Sequence, residues 1–295
     1  MGLASNRVEA HVAYDLPAVG LGSSSACTPA KAKEVDAGPR LRWNRSSKKG
    51  EDRMALAGKA AVVIWNDVTP EARSDFLAWH GREHVPERVS IAGFRRGRRG
   101  RAVSGGPEFF TLYEVENEAF LGGAYLRRLN DPTPWTRRVM PAFRQASRAL
   151  CRVEFSLGAG VGGFVATAVL PELADADGAF RSALQRTAEA LFAAQSALTG
   201  LHLLRCDANA SREKTAEHGL RRETPELPAG VLLAEAGDAA PLADVVAGFS
   251  EKMASETGRR FEAGRIAIYR LELCLAAGEV LPPWDGSPTF AGEGD

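Results

Sequence analysis

The chain has 295 residues and a mass of 31.5 kDa, and its 37 Lys+Arg balance its 37 Asp+Glu. Hydrophobic residues at 45% supply a core, which argues against a chain disordered throughout, and four Cys in this length do not make a disulfide scaffold. No apolar run reaches the roughly 18 residues that a spanning helix needs, so an integral helical membrane protein is not expected.

The zero net charge is a sum of two unlike parts. Residues 1–53 hold nine Lys/Arg against six Asp/Glu, and the rest is mildly acidic. This first stretch shows no sustained period of 2 or 3.6. Ser23-Ser24-Ser25 and Ser46-Ser47-Lys48-Lys49-Gly50 read as loop. It is expected to be a disordered basic arm, or a misassigned start, because organised sequence begins just after Met54. It has no segment with the basic start, apolar run and cleavage site of a secretory signal, so a cytoplasmic location is expected. Arg40-Leu-Arg-Trp-Asn-Arg45 could meet nucleic acid or a membrane surface, but a flexible tail is the simpler reading, and neither partner is expected.

The body alternates strands with amphipathic helices. Residues 60–65 read as a strand. Thr69-Pro70-Glu71 opens a helix, with a cap, a first-turn proline and an acid on the helix dipole. Gly93 ends that unit. Residues 94–103 and 109–115 are strands around a Ser104-Gly-Gly-Pro107 turn. A helix follows near 118–129, more helical turns run to about 147, and a fourth strand covers 150–157. The second half repeats this order: strand 163–170, helix 179–198, strand 201–206, polar loop 207–228, strand 231–235, helix 242–257 and strand 265–275. The closing strands match each other, Cys151-Arg-Val-Glu-Phe-Ser-Leu157 against Tyr269-Arg-Leu-Glu-Leu-Cys-Leu275.

Each half is thus βαββαβ, the ferredoxin-like unit, whose helices cover one sheet face only. The bare faces need burial, and two sheets in one chain can bury theirs against each other. The expected fold is α+β: two tandem ferredoxin-like halves, residues 54–158 and 159–276, forming an intrachain dimeric α+β barrel, followed by a flexible tail over 277–295. A ligand pocket is expected between the sheets. Such a chain is a monomeric pseudo-dimer or forms a homodimer.

The stretch richest in chemistry is Phe76-Leu-Ala-Trp79-His80-Gly-Arg82-Glu83-His84-Val-Pro86-Glu87-Arg88. On a regular helix, Phe76, Leu77, His80, Glu83 and His84 share an arc of about 120°. Two histidines and a glutamate thus continue an apolar stripe, where polar groups must be bonded or line a cavity. Three readings stay open. His80 and His84 stand at a chelating i, i+4 spacing, but no third ligand is evident and no metal is expected. One histidine, His84 first, can act as general acid/base with Glu83 or Glu87 beside it. Or all are structural.

Within Phe94-Arg-Arg-Gly-Arg-Arg-Gly-Arg101, strand parity puts Arg96 and Arg98 on one face and Arg95, Arg99 and Arg101 on the other. A solvated edge strand is the plain reading. The alternatives are a pocket arginine, Arg98, that pairs a substrate carboxylate, and contact with nucleic acid phosphates. Tyr113 can offer a polar tip to the same pocket. Asn130–Arg138, with its two prolines, reads as structural. The cysteines at 27, 151, 206 and 274 form no paired motif, so neither zinc nor a redox pair is indicated. No nucleophile elbow, P-loop or dinucleotide fingerprint is present.

Trp79-His80-x-x-Glu83-His84-Val-Pro86-Glu87-Arg88, Ile91-Ala-Gly93-Phe94-x-x-x-Arg98-Arg99, Thr111-Leu-Tyr-Glu114 and Asn130-Asp-Pro-Thr-Pro-Trp-Thr-Arg-Arg138 together resemble the EthD-like dimeric α+β barrel proteins. The resemblance covers roughly residues 58–157 and is nearest to bacterial members without assigned activity. It implies a small aromatic or polyketide-like ligand and cofactor-free isomerase, cyclase, decarboxylase or monooxygenase chemistry. By that resemblance His84 is the acid/base; beside it Glu83 and His80 are candidate supporters, and Arg98, Tyr113 and Trp79 candidate substrate contacts. The second half lacks His-x-Pro and Pro-Thr-Pro-Trp, so one site is expected, not two. A non-catalytic binding or oligomerisation module is the rival.

Overall fold

The computed structural model describes residues 55–170, 173, 178–221, 227–258 and 265–280. The expected arm over 1–53, and residues 281–295 of the expected tail, lie outside them. Only the unit that begins at Glu51 is therefore described.

Eight strands alternate with helices in the order read from sequence. The first half comprises β1 (Ala60–Val68), α1 (Arg73–Trp79), a π-helical turn (His80–His84), α2 (Val85–Val89), β2 (Phe94–Ser104), β3 (Phe109–Val115), α3 (Gly123–Asn130), α4 (Pro134–Val139) and β4 (Phe143–Gly158). The second comprises β5 (Phe164–Leu170), α5 (Gly178–Ala194), β6 (Leu198–Asp207), the single turns α6 (Ala208–Ser211) and α7 (Ala216–Gly219), β7 (Gly230–Ala236), α8 (Ala240–Thr257) and β8 (Ile266–Ala276). A short 3-10 turn, Ala277–Glu279, follows β8.

The strands close into one barrel, β1-β3-β2-β8-β5-β7-β6-β4. Within it, β4-β1-β3-β2 and β8-β5-β7-β6 are the two ferredoxin-like sheets, each in the same internal order. Two antiparallel seams, β2 with β8 and β4 with β6, join them. Closure leaves no sheet edge unpaired. The chain is thus the expected intrachain dimeric α+β barrel.

β4 is longer than its sequence pattern suggests. Residues 143–149 pair with β1 rather than continuing a helix, from Phe143 opposite Val68 to Ala149 opposite Val63. A register shift between Trp65 and Asp67, and a positive φ at Gln145, break the two-residue period there. The Arg and Ala content then mimics a helix.

The barrel interior is filled. Trp65, Phe110, Leu112, Tyr269, Val63, Leu204 and Leu233 come from both halves and pack as one cluster. The space left beside Arg98, Phe110 and Val165 is about 10 Å3, room for about one water and far too little for an aromatic ligand. This corrects the expected pocket between the sheets. The inward side chains leave no room there for an aromatic ligand. Cys151 and Cys206, 55 residues apart, face each other across the β4–β6 seam with sulfurs 3.1 Å apart. Both are free thiols, and burial together with Cys206 pushes the Cys151 thiol up.

Outside the barrel each half has its own helical layer. In the second half, α5 and α8 cover Ala166, Ala168, Leu232 and Ala234 through Leu184, Leu191, Val246 and Phe249. In the first half, α2 and α3 cover Ala60, Val62, Tyr113 and Val115 through Val85, Val89, Tyr125 and Leu129. Gly97 permits the close seating of α2. A Cβ there would stand 2.9 Å from Val85 and Val89 and 3.1 Å from Tyr113.

Candidate functional site

The helix read as regular over His80–His84 is π-helical, and the Val85 amide donates to the His80 carbonyl five residues back. Pro86, at the start of α2, has no N–H and cannot join an ordinary ladder. The wider turn is the register change that carries the chain past it, and such turns frequently coincide with functional positions.

The turn divides the candidate residues. Trp79 and Glu83 face α4. Trp79 Nε1 donates to Thr136 Oγ1 at 3.1 Å, and Thr133 Oγ1 donates to Glu83 at 2.5 Å. Thr133 also caps α4 by accepting from the Thr136 amide. These two residues therefore bolt the turn to the Pro-Thr-Pro-Trp element. His80 faces the sheet, and His84 lies beside His80 and Trp79. They are buried, their rings lie 5.6 Å apart, and His84 stacks on Trp79 at 4.2 Å. His80 Nε2 meets Thr111 Oγ1 at 3.4 Å on the outer face of β3. Tyr113 lies two residues further along the same face and is wholly buried.

Several polar atoms on this face are closed off from solvent yet have no hydrogen-bond partner: Nδ1 of His80, Nδ1 of His84 and the Tyr113 hydroxyl. Native interiors rarely leave such atoms bare, because each costs about 1–3 kcal/mol. Arginines that sequence reading did not connect with these residues act on them: Arg88 and Arg99 on His80, Arg88 and Arg221 on His84, and Arg88 on Tyr113. Arg88 is held by Glu87 at 2.8 Å and by Glu217 of α7. Arg99 points outward from β2 and forms an ion pair with Glu272 at 3.5 Å, but its Nε and Nη1 lack hydrogen bonds. Arg148 projects from the part of β4 whose sequence reads as helix. Its Nη1 donates to the Tyr125 hydroxyl at 3.3 Å and its Nη2 is bare. Arg221, just after α7, has a bare and enclosed Nε.

The electrostatics follow from burial and this excess of positive charge. Burial, then Arg99 and Arg88, hold the His80 imidazole well below its usual range. Burial, then Arg88, His80 and Arg221, do the same for His84. Both are neutral at pH 7. Burial pushes the Tyr113 phenol up despite Arg88. Burial and the neighbouring Arg148 pull Arg221 down to about 10. Burial works against the Arg88 charge too, but Glu217 and Glu87 outweigh it and raise its pKa.

Arg98 is elsewhere. It points into the barrel, where it forms a two-pronged bond to Glu235, at 2.8 and 2.9 Å, and an ion pair with Glu114 at 2.9 Å. Arg96 adds a second two-pronged bond to Glu114, at 2.8 and 2.6 Å. The network continues from Glu235 to His202 at 3.4 Å and on to Ser156 at 2.9 Å. Burial would raise the Glu235 carboxyl, but the bonds from His202 and Arg98 hold it below the carboxylate range. Arg98, held by two carboxylates, thus forms part of the barrel's internal brace. Strand parity separates Arg98 from Arg99 correctly. It is the assignment of the pocket to the inner face that makes Arg98 the candidate.

Two other cavities lie away from His84. One of about 440 Å3 is bordered by Leu126, Cys151, Arg152 and Cys206, and an open groove of about 860 Å3 lies along α3. Among the described residues no three His, Cys, Asp or Glu side chains stand close enough to share a metal ion. No described helix is long and apolar enough to cross a membrane.

No family model matches the chain, and no curated protein matches it. Solved structures do. A monooxygenase candidate from Lactobacillus acidophilus aligns over 74% of this chain and 97% of its own, at 11% identity and a TM-score of 0.48. An anthrone oxidase-like protein aligns over 75% and 94%, at 10% identity and a TM-score of 0.46. A heme-binding protein from Thermus thermophilus aligns over 72% and 91%, at 10% identity and a TM-score of 0.46. Likeness at this level carries no argument about chemistry. The fold rests on the strand order, two ferredoxin-like sheets closed into a single α+β barrel.

Proposed function

We propose that the protein binds a small aromatic or polyketide-like molecule between the π turn and the outer face of the first sheet, with His84 as acid/base. The observation that supports this is the set of buried, partnerless polar atoms on His80, His84 and Tyr113. A substrate that bonds them would relieve their cost. A buried neutral imidazole is the form that accepts a proton. The Arg88 charge beside it would favour the enolate or phenolate that proton removal leaves. His80 would share the proton load, and Trp79 and Glu83 would position the turn. No cofactor is invoked.

A ligand reaches His84 when the turn parts from β3, a contact whose polar link is the long 3.4 Å bond between His80 and Thr111. The tight stack of His84 on Trp79 favours a second reading, binding without catalysis. Thermal shift over a set of aromatic acids, phenols and quinones tests the proposal. At least one compound should stabilise the wild type by a few degrees and fail to stabilise His84→Gln. Equal stabilisation of both proteins would remove His84 from the site.

A further inference from the structure

The β4–β6 seam, one of the two that join the halves, carries two cysteines that the site around His84 does not use. Cys151 and Cys206 stand directly opposite each other in the register, and both pack with the interior cluster. The Cys206 amide donates to the Ala229 carbonyl at 2.9 Å, on the β7 side and away from β4. The Val153 amide, two residues beyond Cys151, turns to the Lys59 carbonyl at 2.8 Å, on the β1 side and away from β6. The two strands therefore exchange no backbone bond at this pair. Opposed residues of that kind have Cα atoms about 4.5 Å apart and bring their side chains close, within the roughly 4.4–6.8 Å that a disulfide bridges. The sulfurs already stand 3.1 Å apart, about 1 Å more than a bond.

The two thiols have unlike surroundings. Cys206 is partly exposed and Cys151 is buried. Burial and the neighbouring Cys206 push the Cys151 thiol up, so it stays protonated. A reagent from solvent therefore meets Cys206 first. The pair is also confined to one seam. Tyr269 is the counterpart of Cys151 in the matching closing strands, and on the other seam it stands opposite Ala102.

We infer that Cys151 and Cys206 are a redox pair, which a small organic disulfide closes into an intrachain bond that clasps the two halves together. The Cys206 thiolate attacks one sulfur of the reagent, releases a thiolate and forms a mixed disulfide. The Cys151 sulfur then attacks the Cys206 sulfur. The bond from Cys206 to the reagent breaks, and the second thiol departs with the Cys151 proton. In sum two protein thiols are oxidised, and one reagent disulfide is reduced to two thiols. The inference is independent of any role for His84. Its sequence signal is absent because the cysteines are 55 residues apart, and strand pairing alone brings them together. The same separation gives the bond its effect, since it closes a long loop in the unfolded chain.

The test incubates the full chain in mixtures of 2-hydroxyethyl disulfide and 2-mercaptoethanol, followed by acid quenching, alkylation and peptide mapping. A linked Cys151–Cys206 peptide pair is expected, and Tm should rise by about 5–15 °C over that of the reduced protein. Cys206→Ser should leave Cys151 unmodified and make Tm insensitive to the mixture. Cys151→Ser should instead trap mercaptoethanol on Cys206. The wild-type map stands even if a variant does not fold. An unlinked Cys151 beside a mercaptoethanol-capped Cys206 in the wild type overturns the inference. So does a link made by Cys27 or Cys274 instead, or a linked pair with an unchanged Tm.

Discussion

The outer faces of the two sheets occupy equivalent places and are built for different ends. The registers set the equivalence. Glu114 pairs with Ala61 as Glu235 pairs with Val165, so Thr111 corresponds to Leu232 and Tyr113 to Ala234. The centre of the second face, Ala166, Ala168, Leu232 and Ala234, is apolar and packs against α5 and α8. The first carries a threonine, a tyrosine and, above them, two histidines that leave hydrogen-bonding capacity unused. One face is pure core. The other gives up stability for unmet polar valence, the usual mark of a site shaped for something other than itself. Inside the barrel the halves agree again. Arg98 lies opposite Cys274 and His202 opposite Ser156, each reaching the glutamate of its own half.

That contrast can be attacked in three ways. The largest effect is expected inside, where the halves match. Glu235→Ala leaves Arg98 and His202 facing a buried gap, and Glu114→Ala strips Arg96 and Arg98. Each should cost about 3–5 kcal/mol in urea unfolding. A loss in only one of them would show that the brace is not shared. The second test is an exchange across the outer faces. Leu232→Thr puts a hydroxyl into sealed core and should cost about 2–3 kcal/mol. Thr111→Leu removes only the long 3.4 Å bond to His80 and should cost about 1 kcal/mol, the low end for a buried group left bare. Equal costs would break the distinction between the faces.

The third is pH. His80 and His84 are held below the ordinary value of 6.5 in the folded chain. Above that value both folded and unfolded states are neutral, and stability does not depend on them. Below it the unfolded chain takes up protons that the buried rings refuse. Stability therefore falls as pH drops from about 6.5 towards the lowered folded values, by about 1 kcal/mol per histidine per pH unit. Unfolding at pH 7 and 5.5 should show that slope in the wild type and a much flatter one in His80→Gln/His84→Gln. Matching slopes would mean that the rings are not buried in neutral form.

Most of the fold was legible because strands and amphipathic helices leave periods. The repeated closing strands pointed to the doubling. The failures were physical. β4 was cut short because a register shift erased its alternation. The π turn was invisible because nothing in composition separates it from an α-helix until Pro86 demands a different ladder. His80, His84 and Tyr113 were legible as polar groups on apolar faces. Arg148 was not, since the strand that carries it loses its alternation at the register shift. The sequence also could not say that Trp65, Phe110 and Tyr269 would meet and fill the lumen.

The shared glutamate position has a consequence for the origin of the molecule. Arg98 reaches Glu114 of its own half and Glu235 across the seam, and these two carboxylates are counterparts. If a second copy of residues 54–158 replaced the second half, Arg98 of each copy would meet a Glu114 on both sides. The internal brace is therefore indifferent to whether the barrel is one chain or a pair of identical ones. A symmetric ancestor of this kind would have carried a polar face twice, and joining the copies freed one face to become plain ballast for the other.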